Sequence, residues 1–143
     1  MIVILTGQPN SGKTTLAYAL KKHMPCSIIL DGDELRQVLD NKDYSVIGRK
    51  KNITVASSFA KIISNNNVLV ILALVNPFRE LREELKNGSN VKEIYLFSNR
   101  IREGKMVDYY EKPVKNYLHI DTDKNNIEDS LNLIINYIWP QQK

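Results

Sequence analysis

The stretch "GQPNSGKTT", Gly7 to Thr15, follows directly on a short apolar run, Ile2-Val3-Ile4-Leu5. Gly7, Gly12, Lys13 and Thr14 fit the pattern G-x-x-x-x-G-K-[ST], with a predicted strand before it and a predicted helix after it. The glycines let the backbone curl until several N–H groups face one anion, and the helix N-terminus adds its positive end. The ligand that suits this is a nucleoside triphosphate. The loop Gly7, Asn10, Ser11, Gly12, with Lys13, Thr14 and Thr15, is the expected ATP site. Lys13 would reach the β- and γ-phosphates, and the Thr14 hydroxyl would ligate Mg²⁺.

Outward from the loop, apolar runs and helical patterns alternate along the whole chain, the pattern of an α/β domain with a mainly parallel sheet. A helix from Lys13 turns Leu16, Ala17, Leu20 and Met24 inward and is closed by Pro25. Ser27 to Leu30 is a second strand. "NITVASSFAKIIS" places Ile53, Ala56, Ala60 and Ile63 at helical spacing, and Asn65 to Asn67 end it. "VLVILALV" is the most apolar stretch and the candidate central strand. Asn76 and Pro77 suit the cap and first position of a helix. "EIYLF" and "YLHI" complete five strands, and Ile127, Leu131, Ile134 and Ile138 mark a closing helix. The expectation is one domain over 1–143. Its fold class is the three-layer fold of P-loop nucleoside triphosphatases, a mainly parallel five-stranded sheet flanked by helices.

Composition agrees with a globular domain. Of the 143 residues, 43% are hydrophobic and 25% charged, enough apolar surface for one substantial core. The net charge of +4 suits an anionic ligand without choosing one. The lone Cys26 excludes an internal disulfide and is expected as a small packed side chain in a reducing compartment. The N-terminus lacks the basic start of a signal peptide, and no apolar run is long enough for a membrane helix, so the expected location is cytoplasmic.

The segment after the second strand addresses what receives the phosphate. In "DGDELR", Asp31 and Asp33 stand at the carboxyl end of a strand, the edge where open α/β sheets bind ligands. A carboxylate there can accept the proton of an attacking hydroxyl or hold Mg²⁺ through water. Arg36 could grip a substrate anion. A helix-capping aspartate and a surface arginine would look the same.

"GQPNSGKTTLA", "LDGDELR", the spacing Tyr44…Arg49-x-x-Asn52 and "NPFRELR" together resemble adenylylsulfate kinases, in the same order and at similar distances. The resemblance runs from residue 1 to about 97 and resumes at "YYEKP" and "HIDTD". It implies transfer of the γ-phosphate of ATP, with Mg²⁺, to the 3′-hydroxyl of adenylyl sulfate. With the loop and strand-edge readings above, Lys13 and Asp33 are the expected catalytic residues, and Asp31 with Thr14 the expected metal ligands. Asp33, Arg36, Tyr44, Arg49, Asn52 and Asn76 are assigned to the acceptor. Tyr44 stands where the family has a phenylalanine stacked on the acceptor's base, and Asn76 where the family usually has serine. Related kinases are commonly dimers, so a homodimer is the implied assembly.

The larger departure is the lid. Family members carry a long Lys/Arg-rich segment after the fourth strand, whereas only "SNRIREGKMVD" separates "EIYLF" from "YYEKP" here. Arg100, Arg102 and Lys105 could supply part of the missing charge, Arg100 toward ATP and Arg102 in catalysis. Two other functions stay open. Asp33-x-x-Arg36 also resembles the acceptor element of polynucleotide 5′-hydroxyl kinases, which would make nucleic acid the partner. A trimmed, non-catalytic nucleotide-binding module is the third.

Overall fold

The computed structural model describes residues 1–100 and 105–142. Five strands form one sheet: β1 (Ile2–Thr6), β2 (Ser27–Asp31), β3 (Leu69–Ala73), β4 (Val91–Phe97) and β5 (Tyr117–Asp121). Their spatial order is β2-β3-β1-β4-β5, and all four pairings are parallel. The central position therefore belongs to β1, and "VLVILALV" supplies its interior neighbour β3. Parallel strands need crossovers: α1 (Lys13–His23) joins β1 to β2, α2 (Gly32–Val38) and α3 (Val46–Asn65) join β2 to β3, α4 (Arg79–Gly88) joins β3 to β4, and α5 (Ile127–Ile138) follows β5.

The three layers follow from strand alternation. Val3 and Leu5 of β1 face one side, where Leu16, Ala17 and Leu20 of α1 and Leu131, Ile134 and Ile138 of α5 pack on them. Ile2 and Ile4 face the other side, against Leu35 of α2, Ala56 and Ala60 of α3 and Leu85 of α4. With both faces covered, β1 is buried along its whole length.

Three local readings need correction. Helix α3 begins at Val46, six residues before the expected start, because Ser45 caps it by accepting from the Gly48 N–H at 3.2 Å. Asn76 does not cap α4: Phe78 takes the cap position and makes no side-chain cap bond. The chain before it is held elsewhere, since the Asn76 carbonyl accepts from Arg82 and the Pro77 carbonyl accepts from the Glu111 N–H at 2.9 Å. Cys26 is exposed rather than packed, on the turn between α1 and β2.

Among the described residues no helix is long and apolar enough to cross a membrane.

Candidate active site

Gly7 and Gly12 shape the phosphate loop. A Cβ on Gly7 would collide with the backbone carbonyl of Leu96, so only glycine lets β4 pass this close. Gly12 has φ 96° at the N-cap of α1, a left-handed turn that brings the loop onto the helix. Asn10 is also left-handed, at φ 67°.

Lys13 is buried and folded back over this loop. Its Nζ donates to the carbonyls of Gly7 (3.1 Å) and Gln8 (2.8 Å) and to Ser11 Oγ (3.3 Å). Burial lowers its pKa from 10.5 to about 8, against the raising effect of the Asp31 and Asp33 carboxylates. A cation so poorly solvated gains from any anion brought to the loop.

Asp31 closes β2 and caps α2. One carboxylate oxygen accepts from the Asp33 N–H at 3.0 Å, and the other accepts from the Thr14 hydroxyl at 2.7 Å. Two hard oxygens from different elements therefore stand together at the sheet edge. This donor set fits Mg²⁺ carried by nucleotide phosphates, which takes one or two protein oxygens. Asp33 lies exposed on the first turn of α2.

All of this opens into one cleft of about 960 Å³ at the carboxyl ends of the strands. That is toward the upper end for small-molecule sites, which run to about 1,000 Å³. Asn10, Gly12, Lys13, Thr14 and Thr15 line one part, with Asp31 and Asp33 beside them. Arg36, Tyr44, Arg49, Asn52 and Asn76 line the rest, and Arg100 and Lys105 also reach it. Gly7 and Ser11 lie buried beneath. Arg102 falls outside the described residues.

The basic and aromatic residues of the cleft are tied to one another. Arg36 is buried and donates to the carbonyls of Asn41 (3.2 Å) and Asp43 (2.9 Å), fixing the connection from α2 to α3. Its guanidinium carbon lies 4.0 Å from the centroid of the exposed Tyr44 ring, and that of Arg49 lies 5.4 Å from it. Arg49 and Asn52, three residues apart on α3, share a helix face. Asn52 and Asn76 are buried, and the side-chain oxygen of each has no hydrogen-bond partner among the described residues. Arg100 is engaged, its Nε lying 3.2 Å from Asp123 and its Nη2 donating to Thr122 Oγ1 at 3.0 Å.

Two supports went unread in the sequence. Arg82 and Glu93, both fully buried, pair at 2.6 Å, and Arg82 also donates to the carbonyls of Asn76 and Glu111. A hint existed in "EIYLF", where a glutamate opens an otherwise apolar strand. The second support is Gln8, whose side chain bonds twice to the backbone of Val107. No local pattern announces that.

Comparison with known proteins gives the family and the fold. The sequence model of the adenylylsulphate kinase family matches residues 1–103. An adenylyl-sulfate kinase of Staphylococcus carnosus is 28% identical, over 99% of this chain and 85% of its own length. A cytidine diphosphoramidate kinase of Campylobacter jejuni is 30% identical, over 94% of each chain. The structure of the Mycobacterium tuberculosis APS kinase in complex with AMPPNP and APS superposes with a TM-score of 0.82. At 20% identity over 96% of each chain, that likeness carries the fold.

Proposed function

The chain belongs to the adenylylsulphate kinase family and is a P-loop phosphotransferase, and we propose that it transfers the γ-phosphate of ATP to the 3′-hydroxyl of a nucleotide with an anionic 5′ end, adenylyl sulfate first. The observation that carries this reading is the shared cleft. A phosphate loop with a buried lysine and a carboxylate free to act as base open into the same space as Arg36, Arg49 and Asn52.

In this reading Lys13 leaves the loop carbonyls for the β- and γ-phosphates and offsets charge as it develops on them. Thr14 and Asp31 would hold Mg²⁺, which supplies further neutralisation of the phosphates. Asp33 accepts the proton of the attacking hydroxyl. Arg36 and Arg49 bind the anionic end of the acceptor, and Tyr44 offers a face for its base. Arg100 and Lys105 stand at the rim, where Arg100 would exchange part of its bonding to Asp123 for phosphate.

A second acceptor has a specific observation behind it. The relative named for cytidine diphosphoramidate is 30% identical and is covered over 94% of its length. The test is a panel: ATP and Mg²⁺ with adenylyl sulfate, cytidine diphosphoramidate, other nucleotides and 5′-hydroxyl oligonucleotides, with product measured by chromatography. Transfer to a mononucleotide acceptor supports the proposal. Transfer confined to oligonucleotides would overturn it.

A further inference from the structure

Helix α3 is apolar on two sides. Ala56 and Ala60 pack against the sheet. On the opposite side Ile47 is 78% exposed, Ile62 60% and Phe59 44%, with the half-buried Val55 between them at helical spacing. Lys51, Thr54 and Ser58 fill the gaps, and all three are exposed. Of these residues Lys51 alone is charged, and Lys61 stands at the border. From Ile47 to Ile62 the stripe runs roughly 22 Å along the helix. The Ser58 hydroxyl already donates to the Thr54 carbonyl at 2.9 Å, so it can leave water at little cost. Leu39, 40% exposed just after α2, widens the patch, because it and Val55 line one recess of about 380 Å³. Exposed isoleucines and a phenylalanine on a face so depleted in charge mark a surface that meets protein.

We propose that this face pairs with the same face of a second copy of the chain, α3 against α3 in antiparallel sense, about a two-fold axis between Thr54 and Val55. The order of the side chains selects this occupant. Read from either end, the stripe gives an isoleucine, then Lys51 or Ser58, then Thr54 or Val55. In the antiparallel pair Ile47 meets the partner's Ile62, Lys51 meets the partner's Ser58, and Thr54 meets the partner's Val55. Each contact forms twice, as an isologous interface requires. Parallel packing would set two Lys51 ammonium groups side by side; antiparallel packing separates them and leaves each next to a hydroxyl. A partner chosen by charge would need an ion-pairing face, which one lysine does not provide. Arg49 and Asn52 line the cleft from the other side of α3, so pairing does not occupy it. The stripe is narrower than the roughly 800 Å² that each partner buries in a standard interface, so the expected dissociation constant is micromolar.

The test is sedimentation equilibrium of the full chain, with no substrate added, from micromolar to millimolar concentration. The parent should pass from monomer to dimer across that range. Ile62→Lys sets an ammonium against the partner's Ile47, and Ile47→Asp sets a carboxylate against the partner's Ile62. Each alone should raise the dissociation constant at least about tenfold. The double variant brings the two opposite charges together across the seam, twice, and should recover most of that loss. Both positions are exposed, so melting temperatures within a few degrees of the parent's will separate lost pairing from lost fold. A parent that stays monomeric throughout overturns the proposal, whether or not a different protein is found on the face. A dimer that both single variants leave intact overturns it too, since pairing would then lie elsewhere. Weakened single variants with no recovery in the double one would overturn the antiparallel register. No nucleotide enters the measurement, so its result stands apart from the kinase reading.

Discussion

The Gln8 side chain and the Val107 backbone form a two-bond ring across 99 residues: Gln8 Nε2 donates to the Val107 carbonyl at 2.8 Å, and the Val107 N–H donates to Gln8 Oε1 at 2.9 Å. Gln8 is in the phosphate loop, and Val107 is a buried residue of the connection from β4 to β5. Nearby, the Tyr110 hydroxyl bonds Thr6 Oγ1 at 2.7 Å, and the Tyr109 ring stacks on Phe78. This stretch is fastened to the loop as a wall of the cleft.

Gln8→Ala should release that wall. Amide exchange at Val107 should accelerate, and more ATP should be hydrolysed per product formed, because water reaches the phosphates more easily. Exchange mass spectrometry and a coupled measure of ATP consumed against product check both. Unchanged exchange and coupling would show that the tether has no role.

Lys13 gives a pH dependence with a definite sign. Its folded pKa is about 8 and its ordinary value 10.5, so between those values the unfolded chain binds more protons. The ligand-free fold therefore gains stability from this group as pH rises through that window, and the gain is absent below about pH 8. Melting curves of the parent and Lys13→Met should diverge in the parent's favour above about pH 8. A constant difference across the window would contradict the burial argument.

The buried Arg82–Glu93 pair should be costly to break from one side. Arg82→Met leaves Glu93 with Lys86 alone among the described residues and strips the Asn76 and Glu111 carbonyls of a donor. A loss of about 3–5 kcal/mol in urea unfolding is expected. Arg82→Met with Glu93→Met should recover part of it, since the uncompensated charge is gone. Equal stability of the single variant and the parent would refute this.

Arg49→Ala should raise the acceptor's KM by the equivalent of about 1.5–3 kcal/mol, the worth of a hydrogen bond to a charged group. The KM for ATP should hold. Arg36 is a poorer probe, because its guanidinium also holds the carbonyls of Asn41 and Asp43. Steady-state kinetics with each substrate varied decides the matter, and equal effects on both would move Arg49 out of the acceptor site.

The sheet, its parallel sense and the phosphate loop were legible because each has a local signature: alternating apolar runs, a fixed glycine spacing, a strand followed by a helix. The asparagines that end α3 were legible for the same reason, Asn66 being its C-cap and Asn67 left-handed at φ 62°. What escaped the sequence depends on contacts between distant residues. Asn76 reads locally as a cap, yet Arg82 holds its carbonyl and the helix starts later. Val46 and Ile47 are exposed, so the first turn of α3 carries no apolar periodicity to reveal it. The Gln8–Val107 ring and the buried Arg82–Glu93 pair join segments whose proximity only the fold creates.

In the proposed reaction Asp33 takes the proton of an acceptor hydroxyl beside the phosphate loop. The direct measurement is single-turnover transfer from γ-labelled ATP to the acceptor found in the panel, in the parent and in Asp33→Asn, with ATP affinity measured in parallel. We expect transfer to fall by about 10²–10⁴-fold with ATP affinity nearly unchanged, because a general base acts in the transition state. Transfer at the parental rate by Asp33→Asn would contradict the account.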